Sequence, residues 1–243
     1  MTIKVAFISN KGGVAKTSLS RLLASYYGKL GKRVKICVFD TVQNTSNDWE
    51  ICRRAALIKP NIDIQRIDRV CQHLDSPSCY DIIIFDGQPY SNNLNVEIGS
   101  ASDAVFVPSG LATDDLAPTV RLVHNLNMAS IPFVRTSIVL TRILNSKKEV
   151  DFARGYIEQT GYRILHNAYL EKTGYRQAHN RGLASDDASN PILRTLASNL
   201  ALVKRRRKIG QYRRPKVGHL TPTLSCIFGD SGGAPLPFRS IPW

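Results

Sequence analysis

The stretch IKVAFISNKGGVAKTS, residues 3–18, decides the fold of this chain. Its first seven residues form an apolar, β-branched run that is typical of a buried strand. A glycine-rich turn follows, and from Lys16 to Leu30 large apolar residues recur every three or four positions, which predicts an amphipathic helix ending at Gly31. This order of strand, glycine turn and helix is typical of a phosphate-binding loop.

The turn also carries the groups that bind a nucleotide. Successive backbone N–H groups and the positive end of the helix dipole attract phosphate. Gly12 and Gly13 allow the backbone to approach closely. In such a loop Lys16 contacts the β- and γ-phosphates and the Thr17 hydroxyl ligates Mg²⁺. We therefore predict a site for a nucleotide and Mg²⁺.

Two positions depart from the common pattern G-x-x-x-x-G-K-[ST], which has glycine where this chain has Asn10 and Ala15. If residue 15 requires a positive φ or very close approach to phosphate, its methyl group costs about 1 kcal/mol or more. We therefore expect ATP to bind less tightly than it would to a glycine loop.

Strand and helix patterns alternate along the rest of the chain. Apolar runs lie at 34–39, 81–85, 103–108 and 134–141, and helical spacing at 47–59, 115–128, 148–160 and 191–208. Because these strands lack polar alternation, both faces of the sheet are covered. The predicted fold is α/β, a mostly parallel sheet between two helical layers like that of P-loop NTPases, in one domain over residues 1–208.

Two further strands end in carboxylates, where ligands collect in such folds. The run YDIIIFDGQP ends in Asp86, which resembles a Walker B aspartate that supports Mg²⁺ through water. Asp40 follows VKICVF and is positioned to polarise an attacking water. Either aspartate taken alone is also compatible with a helix cap.

The segment KGGVAKTS, with Lys11 ahead of two glycines, resembles the deviant Walker A motif of the ParA/MinD ATPases, K-G-G-x-G-K-[ST]. FDTVQNTSNDW, IIIFDGQP, VFVPSGLATDDL, SIVLTR and YRQAHNRG also resemble segments of that family, so the likeness covers most of residues 1–200. It is strongest with the plasmid and chromosome partition proteins.

The resemblance implies a homodimer that encloses two ATP molecules, with Lys11 reaching the nucleotide of the other subunit. The nucleotide contacts it implies are Lys11, Gly12, Gly13, Val14, Ala15, Lys16, Thr17 and Ser18. Lys11, Lys16 and Asp40 are the implied catalytic residues, with Asp40 orienting water; Thr17 and Asp86 support Mg²⁺. DTVQ is one residue shorter than the family's D-x-D-P-Q, so Asp40 matches either of two family aspartates.

The positive charge of the chain is concentrated at its C-terminal end. The last 40 residues carry nine Lys and Arg and one Asp, more than half of the formal +14. The run consists of Lys204, Arg205, Arg206, Arg207 and Lys208, and Arg176 and Arg181 are candidates to extend the same surface. Three interpretations stay open: the end of a helix packed on the sheet, a DNA-binding patch, or an amphipathic membrane anchor. Residues 209–243 are Pro/Gly-rich and predicted to be poorly ordered.

The remaining composition favours a cytoplasmic protein. No apolar run approaches the roughly 18 residues of a membrane span, and there is no signal-peptide pattern. The five cysteines lack C-x-x-C spacing. The predicted function is an ATP-dependent DNA partition ATPase, nucleoid-associated when ATP is bound and stimulated by a small basic ParB-like or centromere-binding protein. A MinD-like membrane-associated ATPase and a regulator without hydrolysis are the alternatives.

Overall fold

The computed structural model describes residues 2–39, 45–70, 79–143, 147–170, 173–184 and 192–200. The strands are β1 (Ile3–Phe7), β2 (Val34–Val38), β3 (Asp63–Arg66), β4 (Ile82–Asp86), β5 (Ala104–Ser109), β6 (Thr136–Ile143) and β7 (Tyr169–Leu170). The helices are α1 (Lys16–Lys29), α2 (Thr45–Ala55), α3 (Asn92–Ala101), α4 (Thr113–Met128), α5 (Lys147–Glu158) and α6 (Thr173–Asn180). A seventh helix, α7, has residues 192–200 as its described part.

The seven strands form one sheet in the order β3-β2-β4-β1-β5-β6-β7, and each neighbouring pair is parallel. The first strand lies near the centre, where Val5 is opposite both Ile84 and Ala104. Because all strands run the same way, their carboxyl ends lie along one edge of the sheet. At that edge Phe7 is directly opposite Asp86.

Helices cover both faces of the sheet, as the lack of polar alternation predicts. On one face, strand residues such as Val5 pack with buried side chains of α1, α2 and α7; on the other, Ala6 and its counterparts pack with α3, α4 and α5. The predicted three-layer α/β fold is therefore confirmed. None of the described helices is both long and apolar enough to cross a membrane.

Several elements differ from the sequence prediction. The helix predicted at 47–59 is α2, which ends at Ala55 because Leu57 adopts a left-handed backbone (φ 52°) and Ile58 N–H bonds back to the Arg53 carbonyl. The strands β3 and β7 and the helix α3 were not predicted. The predicted tail, 209–243, and residues 201–208 of the last predicted helix lie outside the described residues.

Candidate functional site

The loop between β1 and α1, called the lysine loop below, is bridged by a hydrogen bond between Lys11 and Lys16. Lys16 begins α1 and is only 7% exposed. Its Nζ donates a hydrogen bond to the carbonyl oxygen of Lys11 at 2.9 Å, and the backbone N–H of Lys11 donates to Ser9 Oγ at 3.1 Å. The ammonium group of Lys16 is therefore held inside the turn, five residues from the second lysine.

Ala15, the residue before Lys16, has a left-handed backbone with φ 65° and ψ 24°. Gly13 in the same loop has φ 71°. The carbonyl of Ala15 accepts the Leu19 N–H at 3.0 Å, so this backbone conformation leads directly into the first turn of α1. An L-residue pays about 1 kcal/mol for it relative to glycine. The Ala15 methyl group packs against the core beside α1, which offsets part of this cost.

Lys11 is paired with an acidic residue of the same chain. Its Nζ lies 3.7 Å from Asp115 Oδ1, and the two side chains are 34% and 25% exposed. Asp115 belongs to the first turn of α4 and lies over Gly110, where an added Cβ would be 2.1 Å from Asp115 Oδ2. Because the pair is partly solvated, it contributes less than about 1 kcal/mol.

The ends of β4 and β1 meet beside this loop. Asp86 is 2% exposed, and its carbonyl oxygen accepts the Phe39 N–H at 3.0 Å. The next residue, Gly87, donates to the Phe7 carbonyl. Asp86 is thus fixed at the carboxyl edge, next to β1, the strand that leads into the loop with Lys11. Asp40, which follows Phe39 in the chain, lies outside the described residues.

Asn10 stands where the common pattern has its first glycine. Its side chain anchors the loop to α3. Asn95 Nδ2 donates to Asn10 Oδ1 at 2.8 Å, and the Asn95 side chain is fully buried. An asparagine at position 10 is therefore accommodated by a specific partner.

One aromatic and one cationic side chain, Tyr90 and Arg142, lie next to the two glycines of the loop. Tyr90, in the loop after β4, is 77% exposed, and its hydroxyl is 3.5 Å from the point that a Cβ on Gly12 would occupy. Arg142, near the end of β6, has its Nη1 3.8 Å from the corresponding point on Gly13. Both residues have a positive φ, 63° for Tyr90 and 61° for Arg142.

No protein-family model matches the sequence, and no curated protein matches it. Solved structures do match. McdA from Cyanothece aligns with a TM-score of 0.64 and 16% identity, over 84% of this chain and 100% of that one. A putative plasmid partition protein from Borrelia burgdorferi bound to AMPPNP aligns with 0.64 and 15%, over 85% and 100%. The septum site-determining protein MinD from Pyrococcus horikoshii, complexed with Mg-ADP, aligns with 0.61 and 15%, over 89% and 100%.

The chain has the ParA/MinD fold. At these identities the likeness is one of fold, and it extends over the whole of each neighbour.

Within this ParA/MinD fold, α1 is joined to α2 through a buried aromatic residue. The Trp49 ring has the guanidinium of Arg21 5.2 Å and that of Arg53 4.8 Å from its centroid. Burial lowers the pKa of Arg21 to about 10, although the carboxylates of Asp86 and Asp48 act in the opposite direction. Arg21, on the helix that follows the lysine loop, thus lies within the electrostatic reach of Asp86.

The same cluster fixes the chain after α6. Trp49 Nε1 donates to the Leu183 carbonyl and Arg53 Nη1 to the Gly182 carbonyl, both at 2.9 Å. A side chain at Gly182, whose φ is 73°, would be 2.7 Å from the Arg53 backbone nitrogen. Burial, as the larger cause, and the positive charge of Arg21, as the smaller one, lower the pKa of His179 to about 4. The histidine is therefore neutral at physiological pH.

The residues predicted to contact DNA are only partly described. Arg181 is exposed directly after α6. The side chain of Arg176, on α6, and residues Lys204, Arg205, Arg206, Arg207 and Lys208 lie outside the described part. The DNA surface therefore stays a prediction from charge.

The sequence prediction missed Asp115, Tyr90 and Arg142. A signal was available for Arg142, because it is the first charged residue after the apolar run SIVLT. Asp115 is one of two acids at a helix start, a pattern that the helix dipole alone accounts for. Tyr90 had no signal, since its position depends on a backbone turn.

Proposed function

We propose that this chain is a weak magnesium-dependent ATPase of the ParA type, which dimerises around ATP and binds DNA without sequence preference. The observation that carries the proposal is the hydrogen bond from Lys16 to the Lys11 carbonyl, because it brings both signature lysines to one turn. The positive φ of Gly13 and the helix start at Lys16 give that turn the form that binds phosphate.

ATP and Mg²⁺ are the proposed ligands, and the residues present fit them. Residues Lys11, Gly12, Gly13, Val14, Ala15, Lys16, Thr17 and Ser18 surround the phosphates. Lys16 is 7% exposed, and a triphosphate would bring negative charge next to its ammonium group. The residues proposed to hold Mg²⁺ are Thr17, at the start of α1, and the buried Asp86, which would act through water. The neighbours bound to AMPPNP and to Mg-ADP support this choice.

In this proposal, Lys11 is the residue that links the two subunits. In the proposed ATP state, Lys11 leaves Asp115 and contacts the nucleotide of the other subunit. The pair it leaves is solvated and weak, so the exchange costs little. The γ-phosphate provides contacts only in the dimer, and its loss shifts the population back to monomers.

Hydrolysis requires an oriented water, and Asp40 is the proposed residue for it, with Lys11 and Lys16 stabilising charge on the transferring phosphoryl group. Phe39, the residue before Asp40 in the sequence, donates its N–H to the Asp86 carbonyl, which supports the proposal. We propose that a small basic ParB-like or centromere-binding protein stimulates this step.

The cationic end of the chain is the proposed DNA contact. Lys204 to Lys208, with Arg176 and Arg181 as further candidates, supply charge that neutralises phosphates independently of base sequence. We propose that residues 1–208 form the ATPase domain, that 209–243 form a basic tail, and that the cytoplasmic protein associates with the nucleoid when ATP is bound.

Co-sedimentation tests this function. The full-length protein is mixed with double-stranded DNA or with anionic liposomes, each with Mg-ATP and with Mg-ADP, and phosphate release is measured in parallel. We expect ATP-dependent binding to DNA, and no binding by Lys16→Ala. ATP-dependent sedimentation with liposomes alone would favour the MinD-like alternative. DNA binding without any phosphate release would favour a regulator that has lost hydrolysis.

A further inference from the structure

Arg142 is placed in an unusual position at the end of β6. Thr141 pairs with Tyr169 and Ile143 with Leu170, so the β6–β7 register shifts at the residue between them. Arg142 is that residue, with φ 61° and an exposed side chain in a strand that is otherwise buried. A bulge of this kind turns one side chain away from the regular alternation of a strand, and bulges are common beside active sites.

The bulge lies against the lysine loop. Thr141 Oγ1 is 3.2 Å from the Val14 carbonyl and 3.1 Å from the Ser109 carbonyl, so it joins the ends of β5 and β6 to the loop. Arg142 follows Thr141, and its guanidinium lies next to Gly13. Its Nη1 is 3.8 Å from the point that a Cβ on Gly13 would occupy. Gly13 is one of the two glycines that leave room for phosphate.

Backbone strain is concentrated around the same loop. Five non-glycine residues of the described part have a positive φ: Ala15, Leu57, Tyr90, Ser130 and Arg142. Three of them, Ala15, Tyr90 and Arg142, lie in the loop or next to its glycines. Strained conformations persist where the surrounding structure enforces them, and they cluster at ligand sites.

We propose that Arg142 is an additional phosphate-binding residue, whose guanidinium contacts the phosphate chain of the nucleotide bound in its own subunit. The inference rests on the proposed ATP site. A guanidinium offers several donors in a planar fork, which suits phosphate oxygens, and it is always charged. With Lys11, which is paired with Asp115, and Lys16 it makes the third cation around one short turn, and a triphosphate would bring negative charge to this cluster.

Two variants separate the charge of Arg142 from its backbone conformation. Arg142→Asn removes the charge, and asparagine tolerates a positive φ, so the bulge is retained. Arg142→Lys keeps the charge and loses the fork. Arg33→Ala is the matched control, because Arg33 is an exposed arginine beside Asp81 at the opposite, amino-terminal edge of the sheet.

The measurement is the affinity of each full-length variant for ATP, ADP and inorganic tripolyphosphate, by displacement of a fluorescent ATP analogue with Mg²⁺ present. Thermal unfolding without nucleotide is measured alongside. We expect Arg142→Asn to bind ATP and tripolyphosphate about tenfold more weakly, since hydrogen bonds to charged groups are worth at least that factor. We expect Arg142→Lys to lose less and Arg33→Ala to bind like the wild type. A loss that includes ADP would place the contact on the α- or β-phosphate, and a loss for ATP and tripolyphosphate but not for ADP would place it on the γ-phosphate.

Wild-type affinities for ATP and tripolyphosphate in Arg142→Asn would overturn the proposal. A loss for ATP with unchanged tripolyphosphate binding would also overturn it, because the contact would then be to the nucleoside. A wild-type protein that binds no nucleotide at all would instead contradict the proposed function, so the two failures are distinguishable.

Discussion

The ammonium of Lys11 lies 3.7 Å from a carboxylate oxygen of Asp115 in the first turn of α4. This pair gives Lys11 a partner within the same chain. Both side chains are partly exposed, so the pair holds Lys11 with less than about 1 kcal/mol. In the proposed dimer, the nucleotide of the second subunit can therefore displace Asp115 without a large energetic cost.

Replacing Lys11 by alanine should separate binding from hydrolysis. In the proposed dimer Lys11 contacts the nucleotide of the other subunit, whereas Lys16 holds the nucleotide of its own. We expect Lys11→Ala to retain ATP binding by calorimetry and to lose the phosphate release that DNA and the partner stimulate. Lys16→Ala, the comparison, should lose ATP binding. Equal loss of binding and hydrolysis in Lys11→Ala would contradict the role across the dimer.

Removing the charge of Asp115 should favour the dimer. In Asp115→Asn, Lys11 loses its partner, and the ATP-dependent dimerisation constant measured by sedimentation should rise by up to about fivefold, because a solvated pair is worth at most about 1 kcal/mol. Asp114→Asn is the matched control, since Asp114 is the neighbouring exposed acid of the same helix turn. Weaker dimerisation in Asp115→Asn would mean that the carboxylate itself contributes to the interface.

Because Ala15 has a left-handed backbone, we expect its replacement by glycine to be tolerated, unlike glycine substitutions inside α1. Ala15→Gly removes about 1 kcal/mol of backbone strain but adds entropy to the unfolded chain, so the free energy of unfolding should stay within about 1 kcal/mol of the wild type. ATP should bind at least as tightly. Ala24→Gly, inside α1, should destabilise by about 1 kcal/mol or more and serves as the comparison in thermal unfolding. Weaker ATP binding in Ala15→Gly would mean that the methyl group supports the loop.

The fold could largely be predicted from the sequence because five strands are mostly apolar runs without regular polar alternation. The strand β3 escaped prediction because DIQR is an exposed edge strand, and β7 because it has only two residues. The lysine loop was recognisable from its order of strand, glycines and Lys-Thr. The contacts of Asp115, Tyr90 and Arg142 with that loop depend on long-range packing and on positive φ angles, which residue spacing does not encode.

The lowered pKa of His179 predicts that the stability of the fold depends on pH. Burial, followed by the charge of Arg21, lowers its pKa from 6.5 to about 4 in the folded chain. Below pH 6.5 the unfolded chain therefore binds a proton that the folded chain resists, and the free energy of unfolding falls as the pH drops towards 4. The loss is a few kcal/mol at most, since one pKa unit corresponds to about 1.4 kcal/mol.

Denaturant unfolding at pH 7 and at pH 5 measures this effect. The variant His179→Gln, which cannot take up the proton, should lose less stability than the wild type between the two pH values. Identical losses in the two proteins would show that His179 is protonated without cost.

The basic end predicts salt-sensitive DNA binding. Deleting residues 204–243 removes nine Lys and Arg and one Asp. With ATP present, the truncated protein should bind DNA more weakly. The slope of log K against log salt should flatten by about 0.9 for each DNA phosphate that the deleted residues neutralise. Unchanged affinity and slope, measured by fluorescence anisotropy, would place the DNA contact within residues 1–203.

Light scattering of the protein tests most directly whether ATP joins two subunits through Lys11. With Mg-ATP the mass should be twice the 27.0 kDa of one chain, and with Mg-ADP or without nucleotide it should be that of one chain. Lys11→Ala and Lys16→Ala should both stay at the lower mass with ATP. A wild-type mass that is the same with ATP, with ADP and without nucleotide would contradict the account.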